Sequence, residues 1–446
     1  MNFHIITFGC QMNVCDSDWL NRTLQGKGFN PSSEEEADFI LVNTCSVREK
    51  PEQKVYSLLG RLRNYRKKNP DFFVGVGGCV AQQIGKKFWE RFPHVRLVYG
   101  TDGVAMVPQA IERMLAEPEL RVSLLDFLDY YPEREQVEMQ GKLPAQAFVN
   151  IMQGCNNFCA YCIVPYTRGR QKSRSSEAVL EECRQLANQG VREITLLGQN
   201  VNSFGMDKYG DGLSFARLLE KVCSIPGLDR VRFTTSHPKD IAQEVIEAFG
   251  RFENLCPHLH LPLQSGSNRI LKAMGRRYSR EHYLHIIEEL RKVRPEIVLT
   301  TDLIVGFPGE NEEDFELTMQ AVQEVEFDSS YSFKYSDRPG VRAESMQPKI
   351  PDFIKADRLQ RLQALQDDLI RKSLLSMEGK DFPVLVEGPN GRSPSKASAW
   401  RGRDPGGRVV NLVSRNTDDL SGKLVLTKIM EAKKHSASGE VVGEPW

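Results

Sequence analysis

The chain has 446 residues, enough for several domains, and its 59 Lys and Arg balance 59 Asp and Glu, so whole-chain charge names no polyanionic partner and any nucleic-acid contact has to be local. The start Met1–Ile6 lacks a basic region and a long apolar run, and no segment approaches the ~18 apolar residues of a membrane helix, so neither a signal peptide nor a membrane association is expected. Ten cysteines in such a chain suit a reducing cytoplasm, where clusters or catalysis are expected before disulfides.

Three apolar runs open the chain, and each ends in a cysteine: Phe3–Cys10, Phe39–Cys45 and Phe72–Cys79. Their cysteines recur at roughly 35-residue intervals with helix-like stretches between, the length of a βαβ unit. Short runs that are apolar on both faces read as parallel strands. Parallel strands end at one edge of a sheet, neighbours about 4.8 Å apart, where ligands collect. Cys10, Cys45 and Cys79 are therefore expected to converge there, three unrelated buried cysteines being the plainer alternative. Val95–Gly100 predicts a further strand, and Cys15 falls in a helix as an ordinary buried thiol. This first domain spans about 1–125, followed by a charged, Pro-containing linker at 126–145.

Next comes Gly154-Cys155-Asn156-Asn157-Phe158-Cys159-Ala160-Tyr161-Cys162. Its cysteines could line one helix face, but Gly154, the Asn pair and Pro165 favour a loop wrapped round one centre. A closed zinc site wants four ligands. Three cysteines with no fourth Cys or His nearby suit a 4Fe–4S cluster with one iron left open. Strands are then expected at Ala147–Met152, Glu193–Leu197, Arg230–Thr234, His258–Leu263, Val298–Val305 and Ser330–Tyr335, with helices between. Six βα units in order predict a partial (β/α)6 TIM-like barrel over 146–377, with its chemistry past the carboxyl ends of the strands. The cysteine loop follows the first strand, and Gln199, Ser236, His237 and Gln264 follow later ones. Tyr166–Arg174 carries four basic residues and no acid: either a solvated loop or phosphate contacts to RNA through Arg168 and Arg170.

Past Gly379, short strand patterns at Phe382–Glu387, Ala397–Arg401, Arg408–Leu412, Lys423–Ile429 and Gly439–Val442 predict a small OB-like β-barrel over 378–446. Arg392, Arg401, Arg403 and Arg408, with Trp400 among them, suit single-stranded RNA, Trp400 being equally suited to the core.

The Cys155–Cys162 loop, with Tyr161 before its last cysteine, closely resembles that of the radical S-adenosylmethionine enzymes. The resemblance implies a partial barrel and a 4Fe–4S cluster on Cys155, Cys159 and Cys162. Its open iron would chelate S-adenosylmethionine, whose cleavage yields a 5′-deoxyadenosyl radical. Gln199, Ser236 and Gln264 would contact the amino acid, ribose or substrate, and Tyr161 would support the adenine; a loop-holding hydrogen bond is the alternative for each. No catalytic residue is assigned.

The motifs around Cys10, Cys45 and Cys79, namely Gly9–Asn13, Asn43–Glu49 and Gly77–Cys79, resemble those of the methylthiotransferases. That family holds a second, auxiliary 4Fe–4S cluster there, the source of the inserted sulfur, and closes with a small RNA-binding TRAM barrel. Gln11-Met12-Asn13, Val47-Arg48-Glu49 and Tyr335–Gly340, with Arg338 as a further RNA contact, look like the branch that methylthiolates carbon 2 of N6-isopentenyladenosine beside the tRNA anticodon. Pro51 and Val341 depart from that branch's usual residues. The resemblance implies tRNA, an external electron donor and iron–sulfur supply proteins as partners of a cytoplasmic monomer. Branches acting on threonylcarbamoyladenosine or a ribosomal-protein aspartate are the alternatives, and a zinc-bearing RNA-binding protein is the non-enzyme one.

Overall fold

A computed structural model describes residues 1–46, 51–134, 144–391, 399–415 and 418–445. Its first unit is a parallel sheet of six strands, β1 (Asn2–Phe8), β2 (Asn30–Pro31), β3 (Phe39–Thr44), β4 (Phe73–Gly78), β5 (Val95–Tyr99) and β6 (Val122–Leu124), in the order β2-β1-β3-β4-β5-β6. Every residue of β3 and β4 is buried, because helices cover both faces of the sheet. Phe39 and Phe73 stack across them with ring centroids 5.1 Å apart. The register pairs Phe8 with Thr44 and Thr44 with Gly78, so the residues just beyond these three share one edge.

The central unit adds β7 (Gln146–Asn150), a short antiparallel pair β8 (Met152–Gln153) and β9 (Lys172–Ser173), and then β10 (Glu193–Leu197), β11 (Arg230–Thr234), β12 (His258–His260), β13 (Val298–Val305) and β14 (Ser329–Lys334). The parallel strands form two sheets, β11-β10-β7 and β12-β13-β14, joined by a bridge between Val231 and Leu255. This is the expected six-strand partial barrel. One large apolar core fills the space between its strands and outer helices.

The helix Asp352–Leu375 leads to a closed barrel of β15 (Asp381–Pro389), β16 (Ala399–Arg403), β17 (Val409–Val413), β18 (Leu424–Ala432) and β19 (Ala437–Val441). It docks on the amino-terminal ends of the central strands. Arg230 donates to the carbonyls of Arg403 and Pro383 at 3.0 and 2.6 Å, and Arg232 donates to that of Asp404 at 3.1 Å. The small barrel therefore lies at the opposite end of the central strands from the cysteine loop.

The described part of the stretch expected as a linker, 126–134, bridges the first two units at a few contacts while Phe127 and Tyr130 stay exposed. Leu128 N–H donates to Asp102 at 2.8 Å, Lys172 donates to the Leu128 carbonyl at 3.0 Å, and Arg134 pairs with Asp16 at 2.6 Å. Beneath it, Lys172 and Asp102 form an ion pair at 2.5 Å, their side chains 3% and 2% exposed. Lys172→Met would leave the Asp102 carboxylate buried without a cation, so a loss of about 3–5 kcal/mol is expected in urea unfolding. A change within about 0.5 kcal/mol, the range of an ordinary surface substitution, would contradict this.

Candidate iron–sulfur and cofactor site

The sheet edge gathers the first three cysteines. Cys10 caps the helix Gln11–Gly26, Cys45 follows β3, and Cys79 opens the helix Cys79–Ile84. Cys45 is within hydrogen-bonding reach of both Cys10 and Cys79. Hydrogen bonding from Cys45 pulls the Cys10 thiol down to about 6 and Cys79 well below the ordinary range, and the charge of Arg168 adds to both. The same two bonds push Cys45 up. Two buried asparagines fix this edge: Asn13 Nδ2 donates to Asn43 Oδ1 at 2.8 Å, and Asn43 Nδ2 donates to the Asn13 carbonyl at 3.0 Å. Cys15 lies apart, its thiol 3.4 Å from the Phe148 carbonyl and raised to about 12 by burial.

The second triplet sits on the loop after β7 and β8. Gly154 opens it at φ +79°, where a Cβ would come within 2.1 Å of the Arg170 carbonyl oxygen, so only glycine lets the two segments pass. Cys155 N–H donates to Gly169 O at 3.3 Å, Ala160 N–H to Met274 O at 2.7 Å and Ala343 N–H to Ala160 O at 2.8 Å. These backbone bonds shape the loop without using a thiol. Burial raises Cys155, and raises Cys162 to about 12. Arg276 Nη1 lies 3.5 Å from Cys159 Sγ and Nη2 donates to Pro262 O at 3.0 Å.

Each triplet thus has one buried guanidinium against it. Arg168 is 3% exposed; burial would push it down, but the thiolate charges of Cys79 and Cys10 more than offset this. Its Nη1 lies 3.6 Å from Met12 Sδ, while its Nη2 is buried without a partner. Arg168 comes from the segment just after Cys162, so it ties the two triplets together. Gln199 ties them again: its carbonyl accepts from Gly154 N–H at 2.6 Å, and its amide contacts Met12 Sδ. Arg338, beyond β14, donates to the Ser46 carbonyl next to Cys45. The sheet edge is therefore contacted from both ends of the row of central strands.

The residues expected to touch S-adenosylmethionine divide. Gln199 makes a loop-holding bond. Ser236 Oγ is buried without a partner, as are Thr235 Oγ1, Asn202 Nδ2 and His237 Nε2 around it. Gln264 is buried at φ +72° beside β13. Tyr161 packs beside Ala160, Met274 and Phe307. His237 Nδ1 accepts from Lys239 N–H at 3.2 Å, which leaves its proton on Nε2, and burial with Arg276 nearby lowers it to about 2. Sequence reasoning missed Arg276, one of the pair Arg276-Arg277 in a loop whose sequence does not say which of the two turns inward.

The RNA contacts expected from sequence also divide. Arg168 is buried against thiols, which is incompatible with a phosphate contact. Arg403 pairs with Glu387 at 2.6 Å and Arg408 with Asp404 at 2.7 Å. Arg170 and Arg401 are exposed, and Arg392, like Val47–Glu49, lies outside the described residues. Trp400 is in the small barrel's core.

Thiolate-held iron–sulfur groups carry negative charge, and the two buried guanidiniums, the partnerless Arg168 Nη2 and the orphaned polar atoms by Ser236 fit such groups and a polar cosubstrate. Among the described residues no three His, Cys, Asp or Glu side chains gather as ligands of a single ion. If Cys10, Cys45 and Cys79 hold iron, Arg168→Met is expected to weaken its binding by about 10–100-fold, as loss of an outer-shell partner does. Iron assay after gel filtration checks this, and iron content equal to wild type would contradict it.

Three cysteines on a loop after the first of six parallel strands define the radical S-adenosylmethionine class, and residues 149–322 match the Radical SAM superfamily. Residues 2–100 match the Uncharacterized protein family UPF0004. The chain shares the fold of the radical S-adenosylmethionine methyltransferase TsrM from Kitasatospora setae, with TM-score 0.55 and 14% identity over 77% of this chain and 74% of that one. It is 60% identical over 444 residues to the tRNA-2-methylthio-N(6)-dimethylallyladenosine synthase of Nitratidesulfovibrio vulgaris, covering 100% of this chain and 99% of that protein. The protein so described in Oleidesulfovibrio alaskensis is 57% identical, covering 99% and 98%. The chain belongs to the tRNA-2-methylthio-N(6)-dimethylallyladenosine synthase family.

Proposed function

We propose that the protein methylthiolates carbon 2 of N6-dimethylallyladenosine beside the tRNA anticodon. The observation that carries this reading is the pair of thiol triplets, joined through Arg168 and through Met12, Gln199 and Gly154, in a chain so similar end to end to synthases of that name. Residues 1–125 would hold an auxiliary 4Fe–4S cluster on Cys10, Cys45 and Cys79. Residues 146–377, after the stretch 126–145, would hold the radical cluster on Cys155, Cys159 and Cys162, and residues 378–446 would contact RNA. The bound groups would supply reductive cleavage of S-adenosylmethionine to a carbon radical and a sulfur for methylation and insertion.

The protein's own residues position and shield. Ser236 Oγ and His237 Nε2–H are available to S-adenosylmethionine. The hydrogen on carbon 2 has no useful acidity, so no general base suffices, and a histidine kept neutral by burial is suited to orientation rather than proton transfer. Arg168 and Arg276 offset the charge of the thiolates. Among the described residues no helix is long and apolar enough to cross a membrane.

Mass spectrometry of tRNA nucleosides from a strain lacking the gene tests the reading. The 2-methylthio nucleoside should vanish and N6-dimethylallyladenosine accumulate. An unchanged pair, with loss of a threonylcarbamoyladenosine or ribosomal-protein modification, would transfer the activity to another substrate.

A further inference from the structure

Three aromatic rings stand exposed beside the cysteine loop. Phe158, inside the loop, is 38% exposed, and Tyr166 just after it is 49% exposed. Their rings meet edge to face with centroids 6.4 Å apart. The Arg170 guanidinium lies 4.9 Å over the Phe158 ring. Phe127, 46% exposed, covers the neighbouring Gly169, whose Cβ would lie 3.1 Å from its ring. Tyr166, Phe158 and the Arg170 cation form one strip, and Phe127 flanks it at Gly169.

The strip is not explained by the fold. Phe158 holds φ +47°, a region costly for a bulky residue, and leaves its ring in water. Of the four basic residues from 168 to 174, three are buried and engaged: Arg168 with thiols, Lys172 with Asp102, and Arg174 with Glu133 and Glu182. Arg170 alone is exposed, and among the described residues it makes no ion pair. Exposed rings interleaved with an uncommitted guanidinium match the faces and phosphates of unpaired nucleotides. An acidic peptide would call for cations rather than rings.

We infer that Phe127, Phe158, Tyr166 and Arg170 form a stacking platform for an unpaired loop of the RNA substrate, next to the radical site. This rests on the proposed action on tRNA. Anisotropy of a labelled anticodon stem-loop carrying N6-dimethylallyladenosine tests it, with the anaerobic holoenzyme and a fully paired RNA duplex as comparison. Phe158→Asn removes the ring yet suits positive φ, so the loop is not penalised, and iron content checks that. Should that variant lose iron, Tyr166→Ser, outside the loop, carries the same test. Each change should weaken hairpin binding about tenfold. Arg170→Gln should also reduce the salt slope by about one phosphate contact, which the ring variants leave alone. Wild type binding the hairpin with all variants matching it would overturn the platform. Wild type preferring neither hairpin nor duplex would overturn the tRNA reading and the platform with it.

Discussion

Cys155→Ala, Cys159→Ala and Cys162→Ala are each expected to abolish 5′-deoxyadenosine formation, and thiolation with it. The loop is shaped by backbone bonds from Cys155, Ala160 and Ala343, none of which uses sulfur. Alanine therefore keeps these bonds and removes the ligand, together with long contacts at 3.5 Å from Asn157 N–H to Cys155 Sγ and from Arg276 to Cys159 Sγ. The loss should reach background, well beyond the about 10–100-fold of an outer-shell change. Chromatography of the reduced enzyme with S-adenosylmethionine checks this. Retained cleavage in any of the three would mean that the loop holds no catalytic cluster.

Cys10→Ala, Cys45→Ala and Cys79→Ala are expected to do something different: thiolation stops while 5′-deoxyadenosine continues to form. The bonds that shape the second loop do not run through these sulfurs, and the sheet's two apolar cores are built without them. Arg168 would face fewer thiolates in these variants, so some loss of stability accompanies the loss of thiolation. Thiolated product from any of them would contradict the assignment of the sulfur source, and loss of both products would mean that the triplets form one centre.

Much of this was legible in the residues. Short segments rich in apolar and β-branched residues between turn signals marked β10, β11 and β13 at their observed ends, even where Arg230, Arg232 or Asp302 interrupts them. The register that brings Cys10, Cys45 and Cys79 to one edge follows from parallel topology alone. β2 and β6, two and three residues long, carry too little pattern to be seen. Side-chain direction in loops was the larger gap. The run from Arg168 to Arg174 gives its charge openly, but nothing in a loop sequence says that Arg168, Lys172 and Arg174 turn inward and Arg170 outward. The same holds for Arg403 and Arg408, whose partners Glu387 and Asp404 are set by strand pairing and a tight turn. Trp400 sits between Ala399 and Arg401 in β16, and only closure of the barrel places it inside.

Two separate iron–sulfur centres, one on each thiol triplet, are expected in the one chain. Iron and sulfide assay with Mössbauer spectroscopy on anaerobically prepared wild type and on the two triple Cys→Ala variants tests this most directly. Roughly eight irons per wild-type chain are expected, all as 4Fe–4S, and about half of them in each triple variant. Full iron in either variant, none in both, or zinc in place of iron would contradict this.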